Sequence, residues 1–235
     1  ADQGGISKEF FMQKISAGIL LVVFFFVCII FMLPHTITTM VMDGLRERTG
    51  AEDVQLSITD SPRIVFGEIG ALDCVIREGR IGKVFVRELT VTGTNLRFDM
   101  RRLFIEQQLI LTAAESVEMR GVVDADAIRE LITNAAEKFT NVAVTVRPGS
   151  VLATAKTRAF GQVFDVTLEG GFVVESGDLY YKARHIAARG MGLNALSIDG
   201  LFPDVLVARA DALPFGLAFE AVEEKDGVVI LTAGK

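Results

Sequence analysis

Two histidines and two cysteines are all that this chain of 235 residues offers for metal or thiol chemistry. Cys28 lies inside a long apolar run, which leaves Cys74 by itself in the remainder. Neither a disulfide framework nor a thiolate metal site can be assembled from one cysteine. A lone Cys in an apolar strand reads instead as a small core residue. His35 abuts the apolar run and His185 stands alone in YYKARHIAARG, so no metal-ligand spacing is present. Basic charge is also short: 24 Lys plus Arg face 30 Asp plus Glu, a net charge of −6, which argues against nucleic acid as a partner. No Gly-x-Ser-x-Gly elbow occurs. GMGLNA (190–195) fits a loose dinucleotide fingerprint but does not sit between a strand and a long helix. Asp124 and Asp126 read as helix caps, and Glu220, Glu223 and Glu224 as a solvated edge. The sequence therefore supports no enzyme, names no catalytic residue and implies no metal or cofactor.

Apolar residues are abundant. ISAGILLVVFFFVCIIFML, residues 15–33, runs for 19 residues without a charge. As a helix it would extend roughly 28 Å, enough to cross a hydrocarbon core of about 30 Å. Lys8 and Lys14 precede it, as a positive region precedes a targeting segment. The run exceeds the 7 to 15 or so apolar residues of a cleaved signal, and PHTITTMVMDG after it offers no Ala-x-Ala-like step. A retained anchor is expected. Lys8 and Lys14 on one side balance Arg46 and Arg48 on the other. The short leading tail and the large trailing part favour a cytoplasmic N-terminus and an extracytoplasmic, periplasmic C-terminal domain. The expected organisation is a short tail (1–14), an anchor (15–33), a helical connector (34–50) ending near Gly50, and one domain (51–235).

Within that domain the dominant period is two. VQLSI alternates Val54, Leu56 and Ile58 with polar neighbours, and NLRFDM places Leu96, Phe98 and Met100 against Arg97 and Asp99. VAVTV (142–146), FDVTL (164–168), LAFEA (217–221) and VVILT (228–232) behave alike. Turn signals separate the runs at Asp60-Ser61-Pro62, Glu78-Gly79, Arg147-Pro148-Gly149, Glu169-Gly170-Gly171, Ser176-Gly177-Asp178 and Lys225-Asp226-Gly227. DADAIRELITNAAEKF (124–139) departs from this pattern: Ile128, Leu131, Ile132, Ala135 and Phe139 form a helical stripe, capped by Asp124 or Asp126 and with Lys138 in the last turn. The expected fold is α+β and mostly antiparallel, a long curved sheet packed on one amphipathic helix.

Several expected strands are apolar on both faces: RIVFGEI, KVFVREL, RRLFIEQQLILT, GGFVVESGDLYY and DVLVARA. Two-sided packing explains this, and so does an interior slot for acyl chains, which gain about 0.8 kcal/mol per buried methylene. In RFDMRR, Arg97, Arg101 and Arg102 fit either a solvated hairpin tip or contact with an anionic headgroup.

ALPFGLAFEAVEEKDGVVILTAG (212–234) resembles the C-terminal signature of the LmeA-like phospholipid-binding proteins, a Leu-Pro-Phe-Gly-Leu-like motif leading into a last hairpin with a turn glycine. Here those residues are Leu213, Pro214, Phe215, Gly216 and Leu217, then Gly227. Residues 61–103 resemble the family's early strands and GVVDADAIRELI (121–132) its mid-chain helix, so the likeness spans roughly 43 to 234. It implies an extracytoplasmic bacterial protein that binds phospholipid in building or maintaining the envelope, with a tubular lipid-binding-like architecture and no catalytic residues to carry over. The anchor departs from that pattern and favours local extraction, presentation or handover of lipid over long-range shuttling. The residues expected to contact lipid are Leu96, Phe98, Ile128, Leu131, Ile132, Phe139, Val166 and Leu168, with Phe215 and Phe219 near the mouth. The competing expectation is a scaffolding domain that packs a closed core or an envelope protein partner.

Overall fold

The computed structural model describes residues 38–47, 49–59, 63, 66–106, 110–136, 138–159, 161–190, 193–197 and 202–235. The expected anchor at 15–33 lies outside these residues. Among them, no helix is long and apolar enough to cross a membrane.

Residues 38–47 form a helix, α1, within the expected connector. Val41 and Leu45 are fully or almost fully buried. Gly50 closes the helix with a positive φ of 63° and donates its N–H to the Arg46 carbonyl at 2.7 Å, the left-handed stop that glycine adopts without strain.

The strands that follow are all antiparallel and divide into two sheets. β1 (Asp53–Thr59), β2 (Glu68–Ile81) and β3 (Val84–Phe98) form a meander that leads into helix α2 (Met100–Glu106). The short β4 (Leu111–Ala113) pairs with β3, and β5 (Ser116–Asp124) runs into helix α3 (Ala125–Ala135). The second sheet is then laid down as β6 (Phe139–Arg147), β7 (Ser150–Ala159), β8 (Gln162–Glu175) and β9 (Asp178–Gly190), with β10 (Leu193–Ser197) and β11 (Val205–Ala208) both pairing with β9. Finally β12 (Ala218–Lys225) and β13 (Val228–Gly234) return to the first sheet, whose order is β1-β2-β3-β5-β13-β12. The expectation of a mostly antiparallel, curled β fold with few helices holds.

Period-two alternation builds these ladders in short stretches, and along β3 the buried parity changes between Val86 and Leu89 and between Val91 and Leu96. In β3, Val84, Val86, Leu89, Val91, Leu96 and Phe98 are all buried, and β2 supplies Ile69, Leu72, Cys74 and Ile76 to the same core. α3 covers β3, β5 and β6 with Ala127, Ile128, Leu131 and Ile132. Asp124 caps it by accepting the Ala127 N–H at 2.9 Å.

Four sequence expectations are corrected. The 124–139 helix stops at Ala135, so Phe139 opens β6 and Lys138 lies beyond the last turn; only the first part of the apolar stripe finds a sheet to cover. Met100 does not continue β3 but begins α2, because Asp99 accepts the Arg102 N–H at 3.1 Å and nucleates a turn of helix. RRLFIEQQLILT is accordingly not one strand. Glu78-Gly79 and Glu169-Gly170-Gly171 are not turns. They lie inside β2 and β8, where Glu78 takes a positive φ of 56° and a bulge falls between Glu169 and Gly170. Glycines inside long strands mark bends of this kind.

Hairpin tips join the two sheets. At the β2–β3 tip, Lys83 donates its N–H to the Val207 carbonyl of β11 at 2.8 Å. At the β8–β9 tip, the Gly177 carbonyl accepts the Phe219 N–H of β12 at 3.1 Å. The far end of β12 is held by Gly149 N–H to the Glu224 carbonyl, 3.3 Å, and Gly227 N–H to the Val146 carbonyl, 3.2 Å. The Glu224 side chain also accepts the Phe172 N–H at 2.9 Å, and Arg184 donates to the Gly149 carbonyl at 3.1 Å. Each sheet thus holds the other by backbone contacts at its turns.

Candidate functional site

Of the ten expected lipid-contacting residues, eight are core. Leu96, Phe98, Ile128, Leu131, Ile132, Val166, Leu168 and Phe219 are each 4% exposed or less and belong to a single apolar cluster. Phe139 and Phe215 are half-buried against that cluster. Phe139 stacks on Phe202 with ring centroids 6.5 Å apart. Phe98 and Phe215 meet edge-on at 6.4 Å, so two of the expected residues do converge, at the end of the β2–β3 ladder where α2 begins.

Local backbone geometry builds that end. Gly67, with φ 81°, opens β2. A Cβ there would lie 2.7 Å from both the Phe98 carbonyl oxygen and the Met100 side chain, so only glycine lets the incoming chain press against α2. The Phe98 N–H donates to the Gly67 carbonyl at 2.9 Å. On the other side, Leu213-Pro214-Phe215-Gly216-Leu217 makes a tight turn in which Phe215 itself has φ 59°. A bulky non-glycine residue in the left-handed region is an outlier that costs about 1–3 kcal/mol and persists only where its surroundings enforce it. Among those surroundings is the Phe98 ring, which the Phe215 ring meets edge-on.

At the same end of the β2–β3 ladder, an open depression of about 500 Å³ is lined by Arg63, Glu68, Asn95 and Arg97, with the buried Ile69 and Leu96 beneath it. Glu68 binds two guanidinium groups, Arg97 at 2.6 Å and Arg63 at 3.7 Å. Arg97 is therefore held by a carboxylate rather than presented alone. Arg102 pairs with Asp99 at 3.9 Å, and Arg101 is exposed on α2. A groove of about 850 Å³ around Asp53, Arg77, Glu78, Arg87 and Glu88, and one of about 430 Å³ along Asp124, Asp126, Arg129 and Glu130, are lined mainly by charged side chains.

Reading RIVFGEI and RRLFIEQQLILT as strands concealed two residues. Phe66 is 74% exposed and Ile105 71% exposed, and both flank this same end. The signal was present: Asp99 followed by a helical period places Arg101 and Arg102 four and three residues before Ile105, on one helix face.

Titratable chemistry is sparse. Burial pushes the Cys74 thiol up to about 11, which leaves it a poor nucleophile. The Lys182 ammonium is held above its ordinary range by hydrogen bonds to Glu175 at 2.6 Å and to Asp204. Among the described residues, no three His, Cys, Asp or Glu side chains gather as a metal site, and His185 is exposed on β9. No family model, curated protein or solved structure matches the chain.

Proposed function

We propose that this chain is a membrane-anchored, extracytoplasmic phospholipid-binding or lipid-transfer module of a bacterial envelope, working without covalent chemistry. One observation carries the reading. At one end of the molecule, the half-buried Phe215 ring meets Phe98 edge-on, and an open depression lined by Arg63 and Arg97, both bound to Glu68, lies at the same end. An alkyl chain needs apolar neighbours and a phosphodiester needs guanidinium donors; both kinds of group occur at this end. The strained φ of Phe215 supports the same reading, because such outliers gather at ligand-contact positions. So does the likeness of residues 212–234 to the LmeA-like C-terminal motif, which brings with it the tubular lipid-binding comparison. With most of the apolar residues committed to the core, lipid engages this end rather than a central tube, as local handover at a membrane requires.

The second reading, a scaffold for an envelope assembly, has its own support: eight expected contact residues are packed as closed core. Native mass spectrometry of the full chain, exchanged through detergent until bulk lipid is removed, separates the two. A carrier retains phospholipid at fixed stoichiometry, and Phe215→Ser lowers that retention in a chain that still folds. A chain that is empty, and stays empty after incubation with liposomes, is a scaffold.

A further inference from the structure

A sheet edge presents a row of unpaired N–H and C=O groups, which proteins guard with charge, proline, bulges or a covering element. The edges of this molecule are guarded unequally. β12 carries Glu220, Glu223 and Lys225, has a bulge between Phe219 and Ala221, and is bonded near both ends to turns of the second sheet. β6 has a bulge between Thr140 and Ala143, with Asn141 at φ 54°, and α3 packs against it. β10 and β11 are short, and each is broken by a register shift. β1 has none of these devices. Its seven residues pair with β2 in unbroken register, from Asp53–Arg77 to Thr59–Ala71, and its interior VQLSI holds no charge, proline or glycine. Among the described residues, the β1 backbone bonds only to β2, which leaves its outer row open.

The order of residues in β1 says what fits that row. Antiparallel pairing of β1 with a second β1, centred on Leu56, sets Leu56 opposite Leu56, Val54 opposite Ile58 and Gln55 opposite Ser57. Asp53, already neutralised by Arg77 at 3.1 Å, meets Thr59. Apolar residues then face apolar residues, polar face polar, no like charges meet and all seven residues are used. A centre at Gln55 sets Glu52 against Ile58, and a centre at Ser57 sets Asp60 against Val54. Leu56 and Ile58 are only half-buried, although their β2 partners Cys74 and Leu72 are fully buried. A second β1 completes that inner row. We propose that β1 is a homodimerisation edge, at which two copies of this chain join about a two-fold axis through Leu56 and merge two seven-stranded sheets into one. The proposal goes beyond lipid binding and does not depend on it.

Gln55 and Ser57 supply the test, because both are exposed and lie directly opposite one another across the axis. In the full chain in detergent, Gln55→Lys with Ser57→Lys sets lysine against lysine at two places. Within one copy the same residues face only Val75 and Asp73 of β2, so the fold tolerates them. Gln55→Glu with Ser57→Glu sets carboxylate against carboxylate. Native mass spectrometry and sedimentation should show a dimer for the parent and a dissociation constant raised about tenfold for each doubly substituted chain. Mixing the lysine and glutamate chains should restore the dimer. A monomeric parent overturns the proposal, and so does a lysine chain as dimeric as the parent or a mixture that stays monomeric. Oxidation reads the register. In a Cys28→Ala background, Leu56→Cys should form a disulfide between copies, since directly opposed Cβ atoms lie about 4.5–5.5 Å apart. Ile58→Cys should not, because its two copies stand four residues apart along the ladder, roughly 14 Å. Equal linking at both positions, or linking at neither, overturns the pairing about Leu56.

Discussion

Tyr181 is fully buried, and its hydroxyl finds no hydrogen-bond partner among the described residues. The ring is held by Phe172 at 5.4 Å and Phe202 at 6.4 Å, and it lies over Gly170, where a Cβ would come within 2.7 Å of the Tyr181 oxygen. An orphaned buried hydroxyl costs about 1–3 kcal/mol. Tyr181→Phe should therefore unfold at a urea midpoint equal to or above the parent's. Gly170→Ala should lower stability by about 1–3 kcal/mol through overpacking. Tyr181→Phe should not rescue it, because the Lys182 carbonyl oxygen, 2.5 Å from that Cβ, remains. At Cys74, burial raises the thiol from 9.0 to about 11. The folded chain keeps that proton between those pH values while the unfolded chain releases it, so stability falls as pH rises from 9.0 to about 11. Denaturant melts across this window should show a shallower decline for Cys74→Ala. Native thiol labelling followed by peptide mapping should leave Cys74 unmodified.

Elements show most clearly what could be read from sequence. Strands that alternate cleanly, such as DVQLSIT, were legible because burial on one face is a local pattern. The helix start at Asp124 was legible because a cap is local chemistry. What failed were Glu78-Gly79 and Glu169-Gly170-Gly171, glycine-containing motifs whose meaning depends on the neighbouring strand, and MRRLFIE, whose apolar content fits strand and helix equally. The candidate site was legible only in part for the same reason: Phe98, Phe215 and Arg97 fall within recognisable motifs, whereas Ile105 needs MRRLFIE to be read as a helix and Phe66 acquires meaning only from its exposure. Two substitutions test element junctions. Asp124→Ala should cost about 0.5–2 kcal/mol by leaving the Ala127 N–H uncapped. Gly82 has φ 58°, and a Cβ there would sit 2.5 Å from the Val207 carbonyl oxygen of β11. Gly82→Ala should therefore loosen the junction between the sheets. Hydrogen exchange should show this as loss of protection at Lys83 and along β11 before the centres of β2 and β3 respond.

At the scale of the whole molecule, the two sheets are not successive units along the chain. β5 and β13 are neighbours, with Asp124 opposite Val228, and the entire second sheet is formed from residues between them. Closing that gap is a long-range event with a correspondingly large loop entropy. The order of assembly follows: the second sheet can zip up hairpin by hairpin, while the first waits with β5 as an open edge until Val228–Gly234 has been made. A chain emerging on the far side of a membrane would pass through this half-built stage every time. Its exposed edge is what a folding helper or a quality-control protease would meet.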